Sequence, residues 1–590
     1  MKKSLRVLML AICFGMSLIC AGCISDDFVK SDKFTVILQE GRGFEIIGEY
    51  LYKVDKGDTA EFEIKLVDGF EINSVDGGEY RYDDDNIKIV CQDIRSHITV
   101  VVKTVLRDSP YTVLYDLNGG THAKSETQEF VLEEYDPKIR LRVNTLTIES
   151  VAPRNGYSLI GWNTDRSGNG EHIGLGSRVT LDADSCVGLY AQWKAWTSED
   201  KFTAATSDAG ECAIVRYSGN DKEIVIPEFL DGAKVTEIKN GAFRNVTSAD
   251  TVVLPSTLRT LDRGAFKNCA FSKLYIYDTV EEIGDDSFDN CHAFSSLFVN
   301  AATPPRYSGA WTSAWADKCD RIILSPHEEK QMVFFAGSSM AFGLKSDMVD
   351  ESFNGEYKIT NLGLSYKVDM KLQQDFLYAV LDDNDILIHA PEDISDVKED
   401  PEFERITWRV LESNYDMLKY TDIREYRAIF DVFKDYNDVR KNAKIKDYNA
   451  RSEDYDIYGD ISFERENTDD TDKGYETWYN ADTLSVNVLG GYSVYYAKLK
   501  SKGTKVYFSY GPANLDGLFM PPKGLRLAYA EKVRTYIVSA PVISDMENYL
   551  YNGRYFWDTN YHLSTEGATM RTNQLIKDIK LQMARDGNNA

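Results

Sequence analysis

Apolar and polar residues alternate with a period of two through the first part of the chain. Phe34-Thr35-Val36-Ile37-Leu38, Ala60-Glu61-Phe62-Glu63-Ile64 and Ile98-Thr99-Val100-Val101-Val102 are the clearest runs, with turn signals such as Asp76-Gly77-Gly78 between them. This pattern predicts half-buried strands, so residues 23–106 read as an anchor segment and a β-rich spacer. Residues 107–195 stay strand-like. Tyr111-Thr112-Val113-Leu114-Tyr115 runs into the turn Asn118-Gly119-Gly120, followed by Tyr157-Ser158-Leu159-Ile160-Gly161-Trp162 and Leu189-Tyr190-Ala191-Gln192-Trp193. Within residues 196–327 the alternation becomes a repeat. Ile238, Leu261 and Ile283 recur about every 22 residues, and Phe243, Phe266 and Phe288 keep the same offsets, as do Val235, Leu258 and Val280. A period in the twenties with one short strand per turn predicts a solenoid.

Past residue 328 the pattern changes again. Met332-Val333-Phe334-Phe335-Ala336, Ile386-Leu387-Ile388 and Val506-Tyr507-Phe508 are continuous apolar runs, separated by helical stretches over 369–384 and from Ser493. Buried strands alternating with helices predict an α/β unit with a parallel sheet over 328–590. The chain is thus expected to be multidomain, with all-β modules followed by one α/β domain. Residues 403–445 read as helices with a buried aromatic face, and 453–478 as a long acidic loop.

Composition narrows the function classes. The 590 residues carry 67 Lys+Arg against 94 Asp+Glu, a formal charge of −27. Such a surface argues against nucleic acid, whose phosphates need clustered cations. Beyond Cys23 the cysteines show neither a C-x-x-C pair nor zinc spacing, and Cys269 and Cys291, at equivalent repeat positions, read as buried small hydrophobes. No metal constellation and no cofactor are implied.

Several segments resemble known families. Lys2, Lys3 and Arg6 precede an apolar run from Val7 to Ala21, ending Cys20-Ala21-Gly22-Cys23. This resembles the lipobox of bacterial lipoproteins, which implies a signal peptide over 1–22 and lipid on Cys23, tethering an exported chain to the membrane. Residues 107–195 resemble the Listeria–Bacteroides (internalin B-type) repeat, implying a β-grasp-like module. Gly241-Ala242-Phe243-Arg244-Asn245 and its copies resemble BspA-like leucine-rich repeats, a short solenoid whose face implies either spacing or a surface glycan or protein ligand.

The last module carries candidate chemistry. Gly337-Ser338-Ser339-Met340-Ala341-Phe342-Gly343 follows the first strand, Asn361-Leu362-Gly363 ends a second segment, and Asp558 and His562 stand near the end. Together these blocks resemble the SGNH (GDSL-like) hydrolase family, implying a three-layer α/β domain. The resemblance implies Ser339 as nucleophile, His562 as base and Asp558 as its orienting acid. It implies an oxyanion hole from the backbone N–H groups of Ser339 and Gly363, with Asn361 as a substitute donor. Imidazole titrates near neutrality and can take a serine proton, and a carboxylate fixes its tautomer. Two features depart from the family. His389-Ala390-Pro391-Glu392 stands where an Asn donor is usual, and Asp558 precedes His562 by four residues instead of three. His389 itself reads as a strand-end histidine. The expected function is a surface, lipid-anchored serine esterase removing acyl (acetyl) groups from carbohydrate. The alternatives are an adhesin or scaffold with an inactive hydrolase-like domain, and an O-acyltransferase.

Overall fold

The computed structural model describes residues 33–39, 44–66, 70–83, 86–106, 111–122, 127–129, 141–181, 185–307, 310–325, 329–392, 394, 401–412, 414–421, 423, 430, 433–441, 454–467, 479–517 and 520–588. The leader and Cys23 lie outside these, as do residues 468–478 of the acidic stretch. No helix among the described residues is long and apolar enough to cross a membrane. The chain divides into two compact units, up to Asp108 and from Ser109 onward.

The first unit holds two four-stranded sheets. In one, Phe34–Leu38 pairs antiparallel with Leu51–Val54 and parallel with Ile98–Leu106. In the other, Ala60–Leu66 lies between Phe44–Ile47 and Asn86–Cys91. Val36 and Val100 of the first sheet share a core with Phe62 and Ile89 of the second. The period-two alternation sends these residues to one face of each strand.

The second unit begins with a mixed five-stranded sheet in which Ser185–Ala195 pairs parallel with Tyr111–Asp116 and antiparallel with Tyr157–Asn163. Its central Trp162 is fully buried, and the indole N–H donates to Leu146 O at 3.1 Å. The solenoid follows. Glu223–Val225, Thr251–Val253, Lys273–Tyr277 and Ser296–Asn300 stack as one parallel sheet. Ala233–Ile238, Thr260–Leu261 and Glu282–Ile283 stack in another. Between them Phe243 stacks on Phe266 with ring centroids 4.6 Å apart, and Phe266 on Phe288 at 6.0 Å. The Cys269 and Cys291 thiols are buried, donating to Phe243 O and Phe266 O at 3.0 Å. Asn245, Asn268 and Asn290 have φ of 65°, 64° and 56°. Asn tolerates this left-handed conformation at little cost, which accounts for its recurrence at each turn.

The C-terminal α/β region has a four-stranded parallel sheet in the order Lys358–Asn361, Gln331–Phe335, Ile386–His389, Lys505–Phe508. The first strand of the chain here is thus flanked by the second and the third. The strand order switches sides at that point, and sheets of this kind place their ligand crevice there, at the carboxyl ends of the strands beginning at Gln331 and Ile386.

The modules of the second unit are docked on one another. The Tyr277 hydroxyl of the solenoid donates to Leu159 O at 2.6 Å, and Asn300 Nδ2 to Ile160 O at 3.2 Å. On the other side, buried Arg440 pairs with Asp278 of the solenoid and with Glu412. Of the aromatic helices expected over 403–445, the described part packs as core, with Trp408 fully buried against Phe433 at 4.8 Å and stacked on Tyr436 at 5.6 Å, while residues 424–429 and 442–445 lie outside the described residues.

Candidate active site

Strand Gln331–Phe335 is buried throughout and delivers the chain to Gly337 at the crevice. A Cβ there would meet Glu392 Oε2 and Tyr366 N, each at 2.7 Å, so the turn tolerates only glycine. A short helix, Ser338–Ala341, starts at once. Ser338 is partly exposed, whereas Ser339 is completely buried. Successive helical residues point about 100° apart, so one serine faces the cleft and the next faces the interior.

Near the end of the chain, Phe556 and Leu563 bridge antiparallel and close a tight loop. Within it the Thr559 hydroxyl accepts the backbone N–H of His562 at 2.9 Å and that of Tyr561 at 3.2 Å. Trp557 N–H donates to His562 O at 2.8 Å. This loop turns Asp558 and His562 to the same side, which accommodates the four-residue spacing. Asp558 Oδ1 lies 2.8 Å from His562 Nδ1, and His562 Nε2 lies 2.9 Å from Ser338 Oγ. The imidazole stacks on Phe342 at 4.2 Å, and Trp557 stacks on the same ring at 5.5 Å. A carboxylate, an imidazole and a hydroxyl therefore form one continuous chain at the crevice.

The serine in that chain differs from the one expected. His562 meets Ser338, and Ser339 turns inward. Ser339 donates its backbone N–H to Glu392 Oε1, its hydroxyl is buried without a hydrogen-bond partner among the described residues, and its carbonyl accepts from Arg571 Nη1 at 3.0 Å. Sequence offers two adjacent serines of identical chemistry, and only the turn geometry separates them.

The expected oxyanion donors are engaged elsewhere. Gly363 N–H donates to Asn361 Oδ1 at 2.9 Å. Asn361 Nδ2 donates to Met340 O at 3.1 Å and to Asp460 Oδ1 at 2.8 Å. Asn361 is thus a brace between the serine helix and its own loop, and Ser339 N–H is held by Glu392. By contrast, the Ser338 backbone N–H has no hydrogen-bond partner among the described residues. It is available to a ligand.

Three buried charges behind these loops carry no sequence motif. Asp460 accepts from the Ser346 backbone and hydroxyl as well as from Asn361, and burial pushes its carboxyl up to about 6. Lys318, on the helix Ala314–Ile323, donates to Gly363 O and to Gly459 O, the latter at 2.7 Å, and burial pushes it down to about 7. Arg571, on the helix Thr565–Asn588, is fully buried against Ser339. His389 stands apart from the triad, fully buried at its strand end, with Nδ1 2.6 Å from the Tyr496 hydroxyl. Burial pushes it down to about 3, so it stays neutral.

Comparison with known proteins places a repeat family in the solenoid. A family model described as the BspA type leucine rich repeat region matches residues 217–304 in six copies. A crystal structure of the T. pallidum leucine-rich repeat protein is 19% identical, with a TM-score of 0.13, covering 17% of this chain and 70% of that one. No curated protein sequence matches the chain.

Proposed function

We propose that residues 328–590 form a serine ester hydrolase of the SGNH type, with Ser338 as nucleophile, His562 as general base and Asp558 as the group that orients His562. The observation that carries this reading is the unbroken contact from Asp558 through His562 to Ser338, the partly exposed serine of the turn. In the first step Ser338 Oγ attacks the ester carbonyl carbon while His562 Nε2 takes its proton. The resulting imidazolium, held by Asp558, gives that proton to the departing alkoxide as the carbon–oxygen bond breaks. Water then attacks the acyl-serine by the same route, and the acid is released. Acyl groups of carbohydrate are the proposed substrates, and the exported chain is held at the cell surface through lipid on Cys23. BspA-type repeats are typical of bacterial surface proteins, which supports an extracytoplasmic setting.

The test is hydrolysis of p-nitrophenyl acetate. Ser338→Ala is expected to lose at least about a thousandfold in kcat, and Ser339→Ala less than about tenfold. The reverse order would return the nucleophile to Ser339, and full activity in both would remove the esterase. The repeat match favours a second reading, an adhesin whose α/β domain is inactive. Ligand binding that persists in Ser338→Ala, with no turnover in the native protein, would select it. Acyl transfer to an added sugar acceptor would instead identify an O-acyltransferase.

A further inference from the structure

Glu392 is the polar side chain at this cleft that the triad does not use. It lies three residues beyond strand Ile386–His389, at the same crevice as Ser338. The residue is only 5% exposed. Oε1 accepts the Ser339 N–H, and Oε2 stands 2.7 Å from the point where a Cβ on Gly337 would lie. The missing side chain of Gly337 is what admits the carboxyl beside the serine turn. No Lys, Arg or His among the described residues forms an ion pair with Glu392. Its charged neighbours are His562, which faces Ser338, and Arg571, which gives Nη1 to Ser339 O. A buried carboxyl without an ion pair is more stable neutral than charged. With Oε1 already accepting an N–H, the proton of a neutral acid belongs on Oε2.

An ester hydrolase needs donors for the oxygen that becomes negative in the tetrahedral intermediate. Gly363 N–H is spent on Asn361 Oδ1, and Asn361 Nδ2 on Met340 O and Asp460 Oδ1, so the side-chain donor must come from another residue. We propose, on the hydrolase reading above, that Glu392 works as a neutral carboxylic acid whose Oε2–H donates to the ester carbonyl oxygen as charge develops there, beside the Ser338 N–H. No proton is transferred in this contact, and the hydrogen bond shortens as the oxyanion forms. Neutral carboxyls kept by an apolar site are known to serve as such donors. Burial pushes the Glu392 carboxyl above the usual range, opposed by the Ser339 contacts and by the charges of His562 and Arg571.

The consequence is a loss of activity at high pH. Activity falls once Glu392 loses its proton, because a carboxylate repels the oxyanion. The experiment compares wild type, Glu392→Gln, Glu392→Ala and Ser338→Ala in p-nitrophenyl acetate hydrolysis across pH, after thermal melts of each. Gln keeps an N–H donor at every pH. Glu392→Gln is expected to stay within about tenfold of wild type and to lose the high-pH fall. Glu392→Ala is expected to lose about a hundredfold in kcat with KM little changed. A Glu392→Gln profile that falls at high pH as wild type does, or a folded Glu392→Ala at wild-type kcat, overturns the proposal. If Glu392→Ala does not fold, the Gln profile decides. Turnover in Ser338→Ala would instead overturn the hydrolase reading, whatever Glu392 does.

Discussion

Asp558 stands on a loop that is also held by the Thr559 hydroxyl and by Trp557 N–H on His562 O, so its carboxylate can be changed without dismantling the loop. Thr559 holds the His562 backbone, and Phe342 supports the ring from below. Asp558→Asn therefore keeps the shape, but an amide can present an N–H to Nδ1 and stabilise the wrong tautomer. The expected result is a fall in kcat of about a thousandfold or more, with KM and melting temperature close to wild type. Steady-state kinetics and a thermal melt check it. A variant with near-native kcat would reduce the site to a Ser338–His562 dyad.

At the scale of elements, the solenoid is held by one aromatic column. Phe243, Phe266 and Phe288 are each 5% exposed or less, and Phe266 is stacked from both sides. Phe266→Ala leaves a cavity that its neighbours cannot close and is expected to cost about 3–5 kcal/mol, read from chemical denaturation. A loss under about 1 kcal/mol would show that the stack collapses onto the gap. This column was legible because each turn repeats its Phe at a fixed offset. The rung Ser296–Asn300 was not, since it pairs with Lys273–Tyr277 but carries no Phe-x-Asn copy after it. The α/β site was legible in part. Apolar runs marked its strands, and His562 and Asp558 stood out by chemistry and proximity. The choice between Ser338 and Ser339 depended on where a helix begins after Gly337, and boundaries are set by tertiary contacts such as Glu392 on Ser339 N–H. Asp460, Lys318 and Arg571 gave no signal, because each serves a backbone group brought close only by folding.

At the scale of the whole second unit, the module over 111–195 meets the solenoid through a histidine. His172 sets its ring edge-on to Tyr275 at 5.8 Å and to Phe298 at 5.4 Å, and its Nε2 is buried without a hydrogen-bond partner. Burial first, and Lys273 second, push it down to about 4. The folded protein therefore keeps His172 neutral where the unfolded chain, titrating near 6.5, already binds a proton. Its contribution to stability is complete above about pH 6.5 and is lost as pH falls from there toward 4, with no further loss below. His172→Phe keeps an aromatic edge against Tyr275 and Phe298 but cannot titrate. The variant is expected to show a smaller drop in melting temperature between pH 7 and pH 4.5 than wild type. His389, pushed down to about 3, stays in both proteins and leaves a residual slope. An identical drop in the two would mean that the acid sensitivity of the unit arises elsewhere than at this junction.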